Sequence, residues 1–230
     1  MFFFDPMYFV FALPALLLAF YAQARVRGAY AKYGNIANSR GLTGVDAANM
    51  ILGPEGLYDV QIEGIAGQLT DNYDPRDKVL HLSAGTARKP TIAALAVVAH
   101  EIGHALQDHQ GYAPMRLRGA IVPAVQVSSW VAPILFILGI IFGAVNLAWV
   151  GVALFSLGAV FALVTLPVEF DASRRGLRLL RTYQLADGQE LQGARSVLTA
   201  AALTYVAALA QTLATLLYYV ALLGGFGRRR

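Results

Sequence analysis

The chain has 230 residues, of which 57% are hydrophobic and only 14% charged, and its mean hydropathy is +0.54. Soluble domains carry about 25% charged residues, so this balance excludes a disordered chain, a coiled coil and a highly charged nucleic-acid binder, and it speaks against a water-soluble globule. With no cysteine there is no disulfide framework, Fe–S cluster or thiolate zinc site, and the net charge of +4 matters less than where the charges lie.

Three blocks contain no Asp, Glu, Lys or Arg: Pro6–Ala24, Gly119–Val168 and Ser196–Gly227. A membrane span needs about 20 apolar residues. The first block crosses once, the second holds two spans and a turn near Gly143–Asn146, and the third crosses once. The expected fold class is mainly α, a multi-span membrane protein with about four transmembrane helices and a small α+β extramembrane unit. The expected organisation is a transmembrane helix over 1–24, the extramembrane unit over 25–118, a transmembrane hairpin over 119–168, a further segment and helix over 169–195, and a last span with a basic C-terminus over 196–230. Ala22-Gln23-Ala24 is similar to a signal-peptidase site. Asp5 stands where a basic leader would be, however, and Arg25 and Arg27 follow at once, so a retained anchor is expected.

Ten of the 18 basic residues lie between Arg25 and Arg118, and five between Arg174 and Arg195. A hairpin in the middle puts these two groups on one side, which is expected to be cytoplasmic. Arg228–Arg230 fall on the opposite side if the last block crosses completely. A half-inserted or re-entrant last helix would remove that conflict.

Within the extramembrane unit, Thr43-Gly44-Val45-Asp46 opens a helical pattern that Gly53-Pro54 closes. Val60, Ile62 and Ile65 alternate with polar residues as a strand would, Asn72–Asp77 reads as turn chemistry, and Lys78–Ser83 alternates again. Thr91–Gln107 is Ala-rich and has Pro90 beside its first turn, so it reads as a helix.

That helix contains His100-Glu101-Ile102-Gly103-His104. At about 100° per residue the two imidazoles lie one turn apart on one face and can grip one ion. Glu101, offset by a further residue, can reach a metal-bound water without being a ligand. This is the zinc-protease arrangement, and the run Ala93–Ala99 before it would bury the site.

A catalytic zinc takes three protein ligands and one water. His109 points well away from His104 on a continuing helix and reads as a surface or helix-end residue, and His81 reads as a strand residue with a cross-strand or core role. Glu169 and Asp171 remain, the first acids after the second charge-free block. Two positions apart on a helix they diverge, so one faces the ion and the other is placed to orient a histidine.

The chain resembles the YugP-type neutral zinc metallopeptidases, a bacterial membrane family related in plan to the HtpX-like and prenyl-protein (CAAX) proteases. The resemblance rests on Leu69–Pro75, Leu80–Ser83, Ala99–Gln107 and Pro167–Arg175, and covers nearly the whole chain. It implies a zincin-like unit, and a third zinc ligand on a helix after the hairpin, a position that Glu169 matches. HtpX-like proteins often carry an Asp four residues after that Glu. Here the position is Ser173, which leaves Asp171 as the replacement. The family also implies a bacterial-type cell membrane as the location.

The expected function is that of a membrane-embedded zinc endopeptidase. One Zn²⁺ per chain is held by His100, His104 and Glu169, with Glu101 as general base. Arg174 and Arg175 are candidates for an oxyanion donor or for anchorage to anionic lipid. Leu80, His81 and Leu82 are candidates to bind an extended peptide by strand addition. The expected partners are a peptide or membrane-protein substrate and the lipid bilayer, with no nucleic acid. The alternative is a catalytically silent membrane adaptor that keeps zinc as a structural clamp. The intact Glu101 argues against it, because a structural site needs no general base.

Overall fold

The computed structural model describes residues 6–227, without the side chains of Phe226 and Gly227. Asp5 and Arg228–Arg230, on which the leader and orientation readings partly turn, lie outside the described residues. The elements follow in the order α1 (Pro6–Tyr33), α2 (Gly44–Leu52), β1 (Gln61–Ile65), β2 (Asn72–Asp74), β3 (Val79–Ser83), α3 (Ala84–Arg88), α4 (Ile92–His109), α5 (Ala113–Ile141), α6 (Val145–Thr182) and α7 (Gly188–Gly227). The architecture is mainly α and multi-span: α1, α5, α6 and α7 are each long and apolar enough to cross a membrane. Helix α1 continues unbroken through Ala22–Ala24.

The chain divides into two compact units. One gathers Gln23–Arg116 and Pro167–Leu203, and the other gathers the apolar segments before, between and after them. In the apolar unit, α5 and the first part of α6 form a hairpin that turns at Gly143, whose φ is +63°. Close approach is set by small residues. A Cβ on Gly139 would stand 2.4 Å from the Ala148 backbone nitrogen, and one on Gly151 2.7 Å from the Phe136 nitrogen. Such packing by small residues suits helices that have no hydrophobic drive to associate in lipid. Trp130, Ile141 and Phe142 face outward, which is costly in water and ordinary in a bilayer.

In the polar unit α4 is the central element. Thr91 caps it, its hydroxyl accepting from the Ala94 N–H at 3.2 Å. Thr43 caps α2 in a reciprocal box with Asp46. Fully or nearly fully buried Ile51, Leu57, Leu80, Leu82, Leu95, Ile102 and Leu180 form the core around α4.

The small sheet has the order β1-β3-β2, with β1 parallel and β2 antiparallel to β3. Two expectations are corrected here. Asn72–Asp74 is a strand and not part of a turn: the buried Tyr73 lies opposite Leu80, and that burial outweighs the local turn chemistry. The turn begins after it, where Asp74 accepts from the Arg76 N–H at 2.9 Å. The second correction concerns substrate addition to Leu80, His81 and Leu82. Strand β3 is the middle strand, paired on both sides, so it has no edge to offer, and Leu80 and Leu82 belong to the core.

Helices α4 and the second part of α6 approach closely at two glycines. A Cβ on Gly103 would stand 2.5 Å from the Ala172 carbonyl oxygen, and one on Gly176 2.9 Å from the Ala99 carbonyl carbon and oxygen. At Gly103 the obstacle is backbone, which cannot rotate away. Gly103→Ala gains about 1 kcal/mol of helix propensity but overpacks the crossing at a typical cost of about 1–3 kcal/mol, so a lower melting temperature is expected. An unchanged or raised melting temperature by differential scanning fluorimetry would show that α6 can give way.

Candidate metal centre

Helix α4 carries His100, Glu101 and His104, and α6 carries Glu169 in the same compact unit. The His100 Nε2 and Glu169 Oε2 atoms are 3.3 Å apart, and His104 Nε2 and Glu169 Oε2 3.6 Å apart. The two rings stand nearly perpendicular at 83°, with centroids 4.7 Å apart. One ligand atom from each of the three residues lies within 4.8 Å of the other two. Ligands about 2.0–2.1 Å from a tetrahedral zinc stand roughly 3.3–3.4 Å from one another. Two imidazoles and a carboxylate at these separations therefore fit zinc in spacing and in chemistry. The side chains are only 14%, 9% and 5% exposed, so the group is largely screened from bulk water.

Both imidazoles are held from behind. The Ser173 hydroxyl lies 3.1 Å from His100 Nδ1, and Gln107 Oε1 lies 3.0 Å from His104 Nδ1. The amide nitrogen of Gln107 donates to the Val168 carbonyl at 2.8 Å and to the Asp171 carboxylate at 3.0 Å. Arg175 donates through Nε to Asp171 and through Nη1 to Gln110. Asp171, expected to orient a histidine, reaches Gln107 and not an imidazole directly. Ser173, at the position where the resemblance expects an Asp, lies against His100.

Glu101 is buried, and its Oε2 accepts from the Tyr73 N–H at 3.1 Å. Burial raises its carboxyl above the usual carboxylate range, with the charges of His100 and His104 opposing. Burial lowers the His104 pKa, but the hydrogen bond to Glu169 and the nearby Glu101 carboxylate outweigh it, and the net shift is upward.

The other sequence candidates lie apart from this group. His81 stands 4.0 Å from Glu63 across the sheet, and His109 is exposed at the end of α4. Arg174 is exposed, and Arg175 is engaged with Asp171 and Gln110. Sequence reasoning missed Gln107 and Tyr73. The first carries a signal, since it lies three residues beyond His104 on one helix face. The second is visible only once β2 is placed beside α4.

A family model described as "Putative neutral zinc metallopeptidase" matches residues 8–224. The chain is 43% identical over 215 residues to the "Putative membrane protease YugP" of Bacillus subtilis (strain 168), covering 93% of this chain and 96% of that protein. No solved structure matches the chain.

Proposed function

Because the chain belongs to the putative neutral zinc metallopeptidase family, we propose that it is a multi-pass membrane zinc endopeptidase that binds one zinc ion per chain. The observation that carries the reading is the convergence of His100, His104 and Glu169, with Glu101 beside them on α4. When bound, zinc polarises the scissile carbonyl and acidifies a water molecule. His100 and His104 present Nε2 to the ion and are kept from turning by Ser173 and Gln107. Glu169 supplies the third ligand and offsets part of the positive charge. Glu101 takes the proton of the attacking water and passes it to the leaving amine, and its burial keeps it basic enough for that task.

The substrate-strand role moves from β3 to β2. Strand β2 is at the sheet edge, and the Tyr73 N–H points away from β3 to Glu101. An extended polypeptide laid along β2 would bring a peptide bond beside the general base. The excess of Lys and Arg in the two polar stretches supports a cytoplasmic orientation of this unit. The proposed partners are an extended polypeptide or membrane-protein segment and the bilayer itself. A structural clamp closes with four protein ligands, whereas three converge among the described residues.

The test is hydrolysis of an unfolded substrate such as casein by detergent-purified protein. One zinc per chain, loss of cleavage on adding 1,10-phenanthroline and its return on adding zinc are expected. Cleavage that survives full removal of metal, or a zinc-loaded protein that cleaves nothing, would return the chain to the adaptor reading.

A further inference from the structure

We propose that Gln107, its amide oriented by the Val168 carbonyl and the Asp171 carboxylate, dictates which ring nitrogen of His104 faces the metal. The inference rests on the zinc reading above and assigns positioning residues to that site.

Gln107 is fully buried, so both ends of its amide must be satisfied inside the protein. Amide oxygen and nitrogen are distinguished by their neighbours. One end lies 2.8 Å from the Val168 carbonyl oxygen and 3.0 Å from an Asp171 carboxylate oxygen. A backbone carbonyl only accepts, so this end is the NH₂ group. The other end is then the oxygen, which also only accepts, and it lies 3.0 Å from His104 Nδ1. The ring must therefore carry its proton on Nδ1. The lone pair is left on Nε2, the nitrogen 3.6 Å from Glu169 Oε2. A flipped amide would set its oxygen against two acceptors.

Asp171 is itself fixed by Arg175, which is anchored on Gln110, the residue that caps α4. The chain of hydrogen bonds leaves α4 at Gln107, crosses to α6 and returns to the end of α4. His100 differs. Its partner is the Ser173 hydroxyl, which can donate or accept and so accommodates either tautomer. Only His104 has its tautomer imposed. The same amide also fixes the register of α6, because Val168 is the residue before Glu169.

Zinc dissociation constants by chelator competition on the detergent-purified full chain test this, with folding followed by circular dichroism. Gln107→Ala is expected to weaken zinc binding about 10–100-fold. Gln107→Glu should do the same, because its carboxylate meets the Val168 carbonyl and Asp171 with no proton between them. Combining Q107E with D171N should recover part of the loss, since that carboxylate can accept from His104 Nδ1–H and from the introduced amide, while the Val168 carbonyl stays unpaired. A merely structural role predicts no such recovery. Zinc affinity of Q107E within about threefold of wild type overturns the proposal, even if Q107A fails to fold. Equal losses in Q107E and the double variant overturn it as well. A wild-type chain that binds no zinc removes the zinc reading instead.

Discussion

Replacing Glu101 with Gln is expected to lower peptide hydrolysis by about 10²–10⁴-fold while the protein keeps its zinc. The substitution is nearly isosteric. The new amide oxygen can still accept from the Tyr73 N–H that now reaches Glu101 Oε2 at 3.1 Å, so β2 and α4 stay in place. What disappears is the carboxylate proposed to remove a proton from water. Zinc content should be unaffected because Glu101 is not among the three converging ligands. Zinc-loaded E101Q that cleaves within about tenfold of wild type would remove Glu101 from the general-base role. Loss of zinc together with activity would make Glu101 a determinant of the metal site.

Glu169→Ala is expected to weaken zinc binding more than about 100-fold, beyond the range for groups behind the ligands. The variant removes the carboxylate that sits against both Nε2 atoms. A thermal-shift titration separates this from general damage. A ligand present at about 1,000 times its Kd stabilises the folded state by roughly 4 kcal/mol. The wild type should therefore melt at a higher temperature with zinc than without it, and E169A should show no zinc-dependent rise. Retention of the full rise would remove Glu169 from the third-ligand role and point to Asp171, which now faces Gln107.

The parts of this molecule legible in its sequence are those set by local pattern. Three charge-free blocks gave the four long apolar helices, because solvation cost along a helix depends on composition alone. The His100–His104 spacing gave two converging candidate ligands, because both lie on one helix whose period is fixed. Glu169 came from resemblance, since the spacing of Glu169 and Asp171 left either to face the ion. Strand β2 was hidden because its turn-like residues are overruled by the burial of Tyr73 against residues far along the chain. The middle position of β3 was hidden for the same reason: strand order is a property of long-range pairing and leaves no mark on the alternation of one strand. Gly103 stood out only as a helix-weakening residue, and the Ala172 carbonyl it accommodates explains it.

The separation between the ligand-bearing helices has a consequence for biosynthesis. His100 and His104 leave the ribosome with α4, while Glu169 follows only after α5 and the apolar part of α6 have been made. A nascent chain that has not yet brought α6 back to α4 holds two of the three converging side chains and lacks the Asp171 and Ser173 contacts behind them. The group that could hold a metal is therefore incomplete until the hairpin has been made, and on the proposed function any activity would be withheld until then by the order of synthesis.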